Sequence, residues 1–275
     1  MVIPIHDENP LRRLPIMTWS LIAANVIVFL TEPSSVTHIA LHTAQTAKEA
    51  CTQAAYFDHH AAIPKELIHN HPLAPHRYRL VTDTGTTICP VVRETGKQPW
   101  LSVLESMFLH AGWLHLLGNM LFLLIFGNNV EDRMGRIPFL GFYVLCGYIA
   151  AYGFALGNSS SRSAIIGASG AIAGVLGAYL VVFPRARVTS LVPFLFFLPL
   201  RLPAWVVLGS WFLLQWAYAG SAGSASGAGV AYLAHVWGFV TGAIIALLLR
   251  RYLTTIRTTE PWHRVHHHSQ GNVGW

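Results

Sequence analysis

Apolar residues in this 275-residue chain gather into uncharged stretches of near-membrane length, separated by polar segments. Six stretches read as spanning helices, at about 16–30, 113–130, 139–156, 165–183, 205–219 and 231–249; the first and fifth are short. The pattern predicts an all-α, polytopic membrane protein. Residues 1–14 form a polar lead, 15–250 the membrane domain and 251–275 a tail that is polar from Thr254 onward. A long loop at 31–106 carries Pro, Thr and His throughout, so it is either a small folded insert or partly disordered. Residues 188–203 are apolar but broken by Pro193, Pro199 and Pro203, which predicts a segment lying along the interface. Residues 220–229, all Gly, Ser or Ala, have little intrinsic order. There is no internal repeat.

Composition agrees with a membrane class. Charged residues make up 11% of the chain, against about 25% in ordinary soluble domains. The net charge of +6 raises nucleic acid as a partner, but the placement of the cations argues against it. Arg12, Arg13, Arg133, Arg136, Arg185, Arg187, Arg201, Arg250, Arg251 and Arg257 all fall on one side of a six-span arrangement. Among the short loops, the other side holds only Arg162. This asymmetry puts both termini in the cytoplasm and the 31–106 loop outside. No small-x-small cleavage site follows the first stretch, so it is expected to be retained as a helix. Cys51 and Cys89 share the outer loop, where a disulfide can persist and order the insert, whereas Cys146 reads as a buried apolar residue.

Candidate chemistry lies in the late spans. Ser169 sits among small residues in Gly167-Ala168-Ser169-Gly170, and His235 lies within Ala234-His235-Val236-Trp237-Gly238. A lone serine here is ordinarily a packing or capping residue, and a lone histidine an interhelical hydrogen-bonding one. Their flanks change that reading. Gly170 and Gly174 on one helix, and Ala234, Gly238, Gly242 and Ala246 on the other, recur every four residues and permit close backbone approach. Such packing brings together a serine and the base that its weakly nucleophilic hydroxyl needs. No Asp or Glu occurs in the last four spans, so the expected form is a Ser–His dyad. The soluble Gly-x-Ser-x-Gly elbow does not fit, because Ala171 replaces its last glycine. On the second span His115 and Asn119 share one helical face, with His110 off it. They suit either an oxyanion hole completed by the Ser169 backbone N–H or an interhelical clamp. Glu131-Asp132-Arg133, followed by Gly135, reads as structural, its carboxylates bonding loop backbone and Arg133 snorkelling.

Taken in order, His110…His115…Asn119, Glu131-Asp132-Arg133-Met134-Gly135, Gly167-Ala168-Ser169-Gly170 and Ala234-His235-Val236-Trp237-Gly238 resemble the rhomboid family of intramembrane serine proteases across about residues 107–250. The resemblance implies a six-transmembrane-helix bundle with a water-filled cavity open to the extracytoplasmic side. Ser169 would then be nucleophile, His235 general base, and Asn119 with His115 oxyanion donors. It implies no cofactor and no metal. The partners it implies are the lipid bilayer and transmembrane protein substrates, cut near a helix end that unwinds readily. The expected address is a bacterial plasma membrane. Two departures stand out: Ala173 where some members carry a tyrosine against the histidine, and the bulky Trp237. An inactive client-binding relative would lack Ser169 or His235. A metal carrier is suggested by His38, His42, His59, His60, His69, His71 and His76 in the loop and His263, His266, His267 and His268 in the tail, but their spacings match no defined site.

Overall fold

The computed structural model describes residues 3–33, 47–74, 77, 79–82, 85–89, 96–192, 196–220 and 230–255. The chain is mostly helical, and a helix occupies each of the six predicted stretches: α1 (Ile16–Thr31), α5 (Trp113–Met134), α6 (Arg136–Gly157), α7 (Ser169–Val182), α8 (Ala204–Gly220) and α9 (Tyr232–Leu248). By length and composition two of them, α5 and α6, are long and apolar enough to cross a membrane, while α1, α7 and α9 are shorter apolar helices. The core runs through Phe126, Tyr143, Leu176 and Tyr179, all fully buried. Wide turns at Leu123–Gly127 interrupt α5 between its two polar regions.

Glu131 caps the start of α1. One carboxylate oxygen accepts the Met17 N–H at 2.9 Å, and the other accepts the Thr18 N–H and hydroxyl, both at 2.7 Å. These are donors that a helix start leaves without intrahelical partners. Asp132 likewise accepts the backbone N–H groups of Arg12 and Arg13. Arg133 departs from the snorkelling expectation. It is buried, with its guanidinium 4.9 Å from the centre of the Phe183 ring and donating to the Leu253 carbonyl of α10 (Arg250–Thr255).

Besides a short hairpin in the 31–106 loop, two segments depart from the all-α expectation. The polar lead contains strand β1 (Ile3–Asp7), and residues 188–203 form a hairpin of β4 (Arg187–Val192) and β5 (Leu198–Pro203). The antiparallel sheet runs β1-β4-β5, with Ile3 opposite Leu191 and Val192 opposite Leu198. Along β4 the residues Val188, Ser190 and Val192 alternate into the interior, the two-residue period of a strand. Pro199 and Pro203 are tolerated because β5 is an edge strand that can do without their missing N–H groups. Asp7 ties this sheet to the helices, accepting from the Tyr179 hydroxyl, from Asn9 at 2.9 Å and from Asn129 at 3.1 Å. The small-residue loop at 221–229 and the tail beyond 255 lie outside the described residues.

The described part of the 31–106 loop is folded. It holds α2 (Ala47–His60), α3 (Pro64–His69), the hairpin β2 (Arg79–Thr82) and β3 (Gly85–Ile88), and α4 (Pro99–Ser106). A disulfide joins Cys51 to Cys89, and Cys146 is a free, buried thiol. Lys97 forms a buried ion pair with Glu66 at 2.7 Å and also donates to the Asp58 carbonyl. Ala62, Leu67 and Val103 pack against Ala151 and Ala155 of α6.

Candidate active site

Helices α7 and α9 approach as closely as backbone allows. A Cβ at Gly238 would overlap the carbonyl oxygen of Gly170, and one at Gly242 would overlap that of Gly174. Ser169 precedes Gly170 as the first residue of α7, and His235 lies one turn before Gly238. The approach brings His235 Nε2 to 2.7 Å from Ser169 Oγ.

The other ring nitrogen of His235, Nδ1, is 2.8 Å from Oε1 of Gln215 on α8. The Trp211 ring lies 5.8 Å away at 33°, and the Tyr232 ring meets the imidazole edge-on. Both sequence departures find their place here. Ala173 is fully buried and faces Gly238, so the histidine is held by Gln215 and Trp211 instead of a tyrosine. Trp237 lays its indole over Gly153 of α6, where any Cβ would collide with the ring.

His115 and Asn119 of α5 face Ser169 from across a cavity. His115 Nδ1 accepts the Ala111 N–H at 3.4 Å, which assigns the ring proton to Nε2. Asn119 Nδ2 is buried without a hydrogen-bond partner. Both donors converge on Gly167, whose φ of +110° only glycine adopts freely, and a Cβ there would lie 2.6 Å from His115 Nε2. The Gly167 N–H donates to the Ser106 carbonyl at 2.9 Å. Two residues upstream, the Ile165 N–H donates to the Ala62 carbonyl at 2.7 Å, so the insert braces the loop leading into Ser169. The Ser169 N–H heads α7, where helix ends leave donors free and the helix dipole is positive. His110 packs its ring 5.0 Å from His115, and its N–H donates to Glu32. Burial, with the neighbouring His115 second and opposed by the Phe108 carbonyl, pushes His110 down to about 4.

The cavity between these walls has a volume of about 750 Å³ and is lined by His115, Asn119, Ser169, Trp211, Gln215 and His235 among others. Residues 97–252, more than half of the chain, match the family model described as the Rhomboid domain. The chain belongs to the rhomboid family. Its relatives include the Arabidopsis thaliana RHOMBOID-like protein 6, mitochondrial, 30% identical over 160 residues, covering 56% of this chain and 45% of that one. The Saccharomyces cerevisiae Rhomboid protein 1, mitochondrial, is 32% identical over 149 residues, 52% of this chain and 40% of that one. The Arabidopsis RHOMBOID-like protein 5 is 35% identical over 78 residues, 28% of this chain and 25% of that one. The chain thus spans less than half the length of these curated relatives. Rhomboids are intramembrane serine proteases, and some relatives are inactive. Family and apolar helices together make this a membrane protein. Two relatives are named mitochondrial, so the comparisons do not select the expected bacterial plasma membrane.

All four residues singled out in the sequence of this rhomboid line one cavity. His110 does not line it and supports His115 from behind. Gln215 went unremarked, although it is the one side-chain amide in the apolar 205–219 stretch, where a polar group ordinarily has a task. Among the described residues no group of three His, Cys, Asp or Glu is placed to hold a metal. His60 instead pairs with Glu105 at 3.0 Å. His38, His42, His76 and the tail histidines lie outside the described residues.

Proposed function

We propose that this rhomboid is an intramembrane serine endopeptidase that cleaves transmembrane protein substrates in or near their membrane-spanning segment. The observation that carries this reading is the 2.7 Å approach of Ser169 Oγ to His235 Nε2 at the wall of a large cavity. Ser169 attacks the scissile carbonyl while His235 takes its proton. The oxyanion that forms is met by Asn119 Nδ2, His115 Nε2–H and the Ser169 backbone N–H. As the tetrahedral adduct collapses, His235 passes the proton to the leaving amine. A water molecule, deprotonated by His235, then releases the acyl group from Ser169 and restores the hydroxyl. No step draws on a cofactor or metal.

The same reading takes α1 and α5 to α9 as six spans with both termini cytoplasmic, preceded by the 1–14 lead and followed by the 251–275 tail. The basic residues support it. Arg12 and Arg13 meet Asp132, Arg133 meets Leu253 and Arg201 meets Glu8, so these elements gather at one end of the bundle. The insert meets the Ser169 loop through Ala62, at the end proposed to be extracytoplasmic.

The test is cleavage of a model single-span substrate by reconstituted protein. Ser169→Ala and His235→Ala should each abolish cleavage, and the double variant should lose no more, because a catalytic unit is not additive. Asn119→Ala should lower turnover roughly 10²-fold, the usual cost of one oxyanion donor, with His115→Ala similar. Substantial cleavage by a folded Ser169→Ala protein would refute the dyad.

A further inference from the structure

Resting on the protease reading above, we propose that Gln215 is a positioning residue for His235, supplying through a neutral amide the orienting contact that a carboxylate gives in soluble triads. His235 has two ring nitrogens with opposite duties. To accept a proton from Ser169, Nε2 must present a lone pair, so the ring proton has to reside on Nδ1. An imidazole without a fixed Nδ1 partner divides between two tautomers, and one of them turns an N–H toward the serine hydroxyl and cannot act as base. The Gln215 carbonyl, 2.8 Å from Nδ1, accepts the Nδ1–H and selects the competent form.

Packing on α8 fixes the amide in place. Gln215 is buried to 6% exposure on a helix whose neighbouring positions are apolar. Trp211, one turn earlier on the same face of α8, packs against the imidazole at a 33° tilt, and Phe239 stacks on Phe212 beside it. Ring tilt and ring proton are thus both set from α8, in a chain whose α7 carries Ala173, and no aromatic ring, against Gly238. The titratable groups facing His235 are His115 from α5 and Tyr232 from α9, and its two hydrogen-bond partners are Ser169 and Gln215. Neither partner is a carboxylate. Among the described residues the base therefore has no anion to stabilise its protonated form, and the amide selects its tautomer without adding charge. A neutral acceptor also spares the site an ionised carboxylate at membrane depth, which is costly.

The inference makes Gln215 replaceable by a carboxylate in kind but not by an apolar group. Selectively ¹⁵N-histidine-labelled protein in detergent micelles should show, among its Nδ1–H imidazoles, one whose signal disappears in His235→Ala. In Gln215→Met, of similar volume, that signal should move to the position of a tautomer mixture. In Gln215→Glu it should persist, with its titration shifted to higher pH. With a model substrate, Gln215→Met should lower kcat about tenfold or more, with KM within about twofold, since an unselected tautomer removes competent base without touching substrate. Gln215→Glu should recover most of that loss and move the acid limb of the pH–rate profile upward. Thermal unfolding of each variant separates these effects from misfolding. An Nδ1–H signal and pH profile unchanged in Gln215→Met would overturn the proposal. The tautomer measurement needs no substrate, so wild-type protein that cleaves nothing but shows the stated response to Gln215 would sink the protease reading and leave the orienting role standing.

Discussion

The α7–α9 pair and the 47–106 insert meet at the loop before Ser169, yet they are held by opposite means. Between the helices the contact is backbone against backbone, with Gly238 on Gly170 and Gly242 on Gly174, and no charge is involved. The insert is held by a disulfide, a buried Lys97–Glu66 ion pair and a β-bridge from Ala62 to Ile165, beside a small apolar contact with α6. On the proposed topology the difference follows from solvent. Helices surrounded by lipid gain little from burying apolar side chains, so van der Waals fit must hold them, and small residues give that fit. A small segment in water has too little core of its own and needs staples. Fit between backbones also fixes distance more tightly than staples fix a loop. This explains why the Ser169–His235 contact rests on the glycine seam.

The contrast breaks most visibly at the seam. Gly238→Val or Gly242→Val must push α9 off α7, and a displacement of about 1 Å costs roughly 10²-fold in rate. Turnover should fall at least that far, even in protein recovered folded from detergent; near-wild-type turnover would mean the seam does not set the dyad. Lesions in the insert should act on stability first. Lys97→Met leaves Glu66 buried and unpaired, a loss of about 3–5 kcal/mol, read as a lower midpoint of thermal unfolding with cleavage retained at low temperature. Cys51→Ser with Cys89→Ser opens a loop of 38 residues, worth about 4 kcal/mol in the chain-entropy model. Native protein should resist alkylation at both cysteines until reduced. The smallest effect concerns acid. His110 is held near 4 when folded, below its ordinary value of about 6.5. Between those values the unfolded chain binds a proton that the folded one does not, so stability falls as pH drops from about 6.5 toward 4. His110→Gln should flatten that part of the stability profile.

The same contrast marks what could be read from the sequence. The helical stretches, the glycine rows and the Ser169/His235 pair were legible because membrane segments declare themselves by composition and their contacts by small residues at fixed spacing. Strand β1 was not, since its partner β4 lies more than 180 residues away and no local pattern encodes such a pairing. The β4–β5 hairpin was hidden by prolines that break a span yet suit an edge strand. Arg133 was misread because nothing in its neighbours announces the Phe183 ring or the Leu253 carbonyl. Gln215 was passed over for a related reason: its partner sits 20 residues on, beyond the Gly/Ser/Ala-rich stretch, and only the folded chain joins them.

On the proposed mechanism, Ser169 is a nucleophile because His235 makes it one. The most direct measurement is mass-spectrometric mapping of the adduct formed when a fluorophosphonate reacts with the detergent-solubilised protein. The account predicts a single adduct on Ser169, lost in Ser169→Ala and suppressed in His235→Ala, with Gln215→Met reduced in proportion to its kcat. Labelling that survives in folded His235→Ala protein, or that maps to another serine, would contradict it.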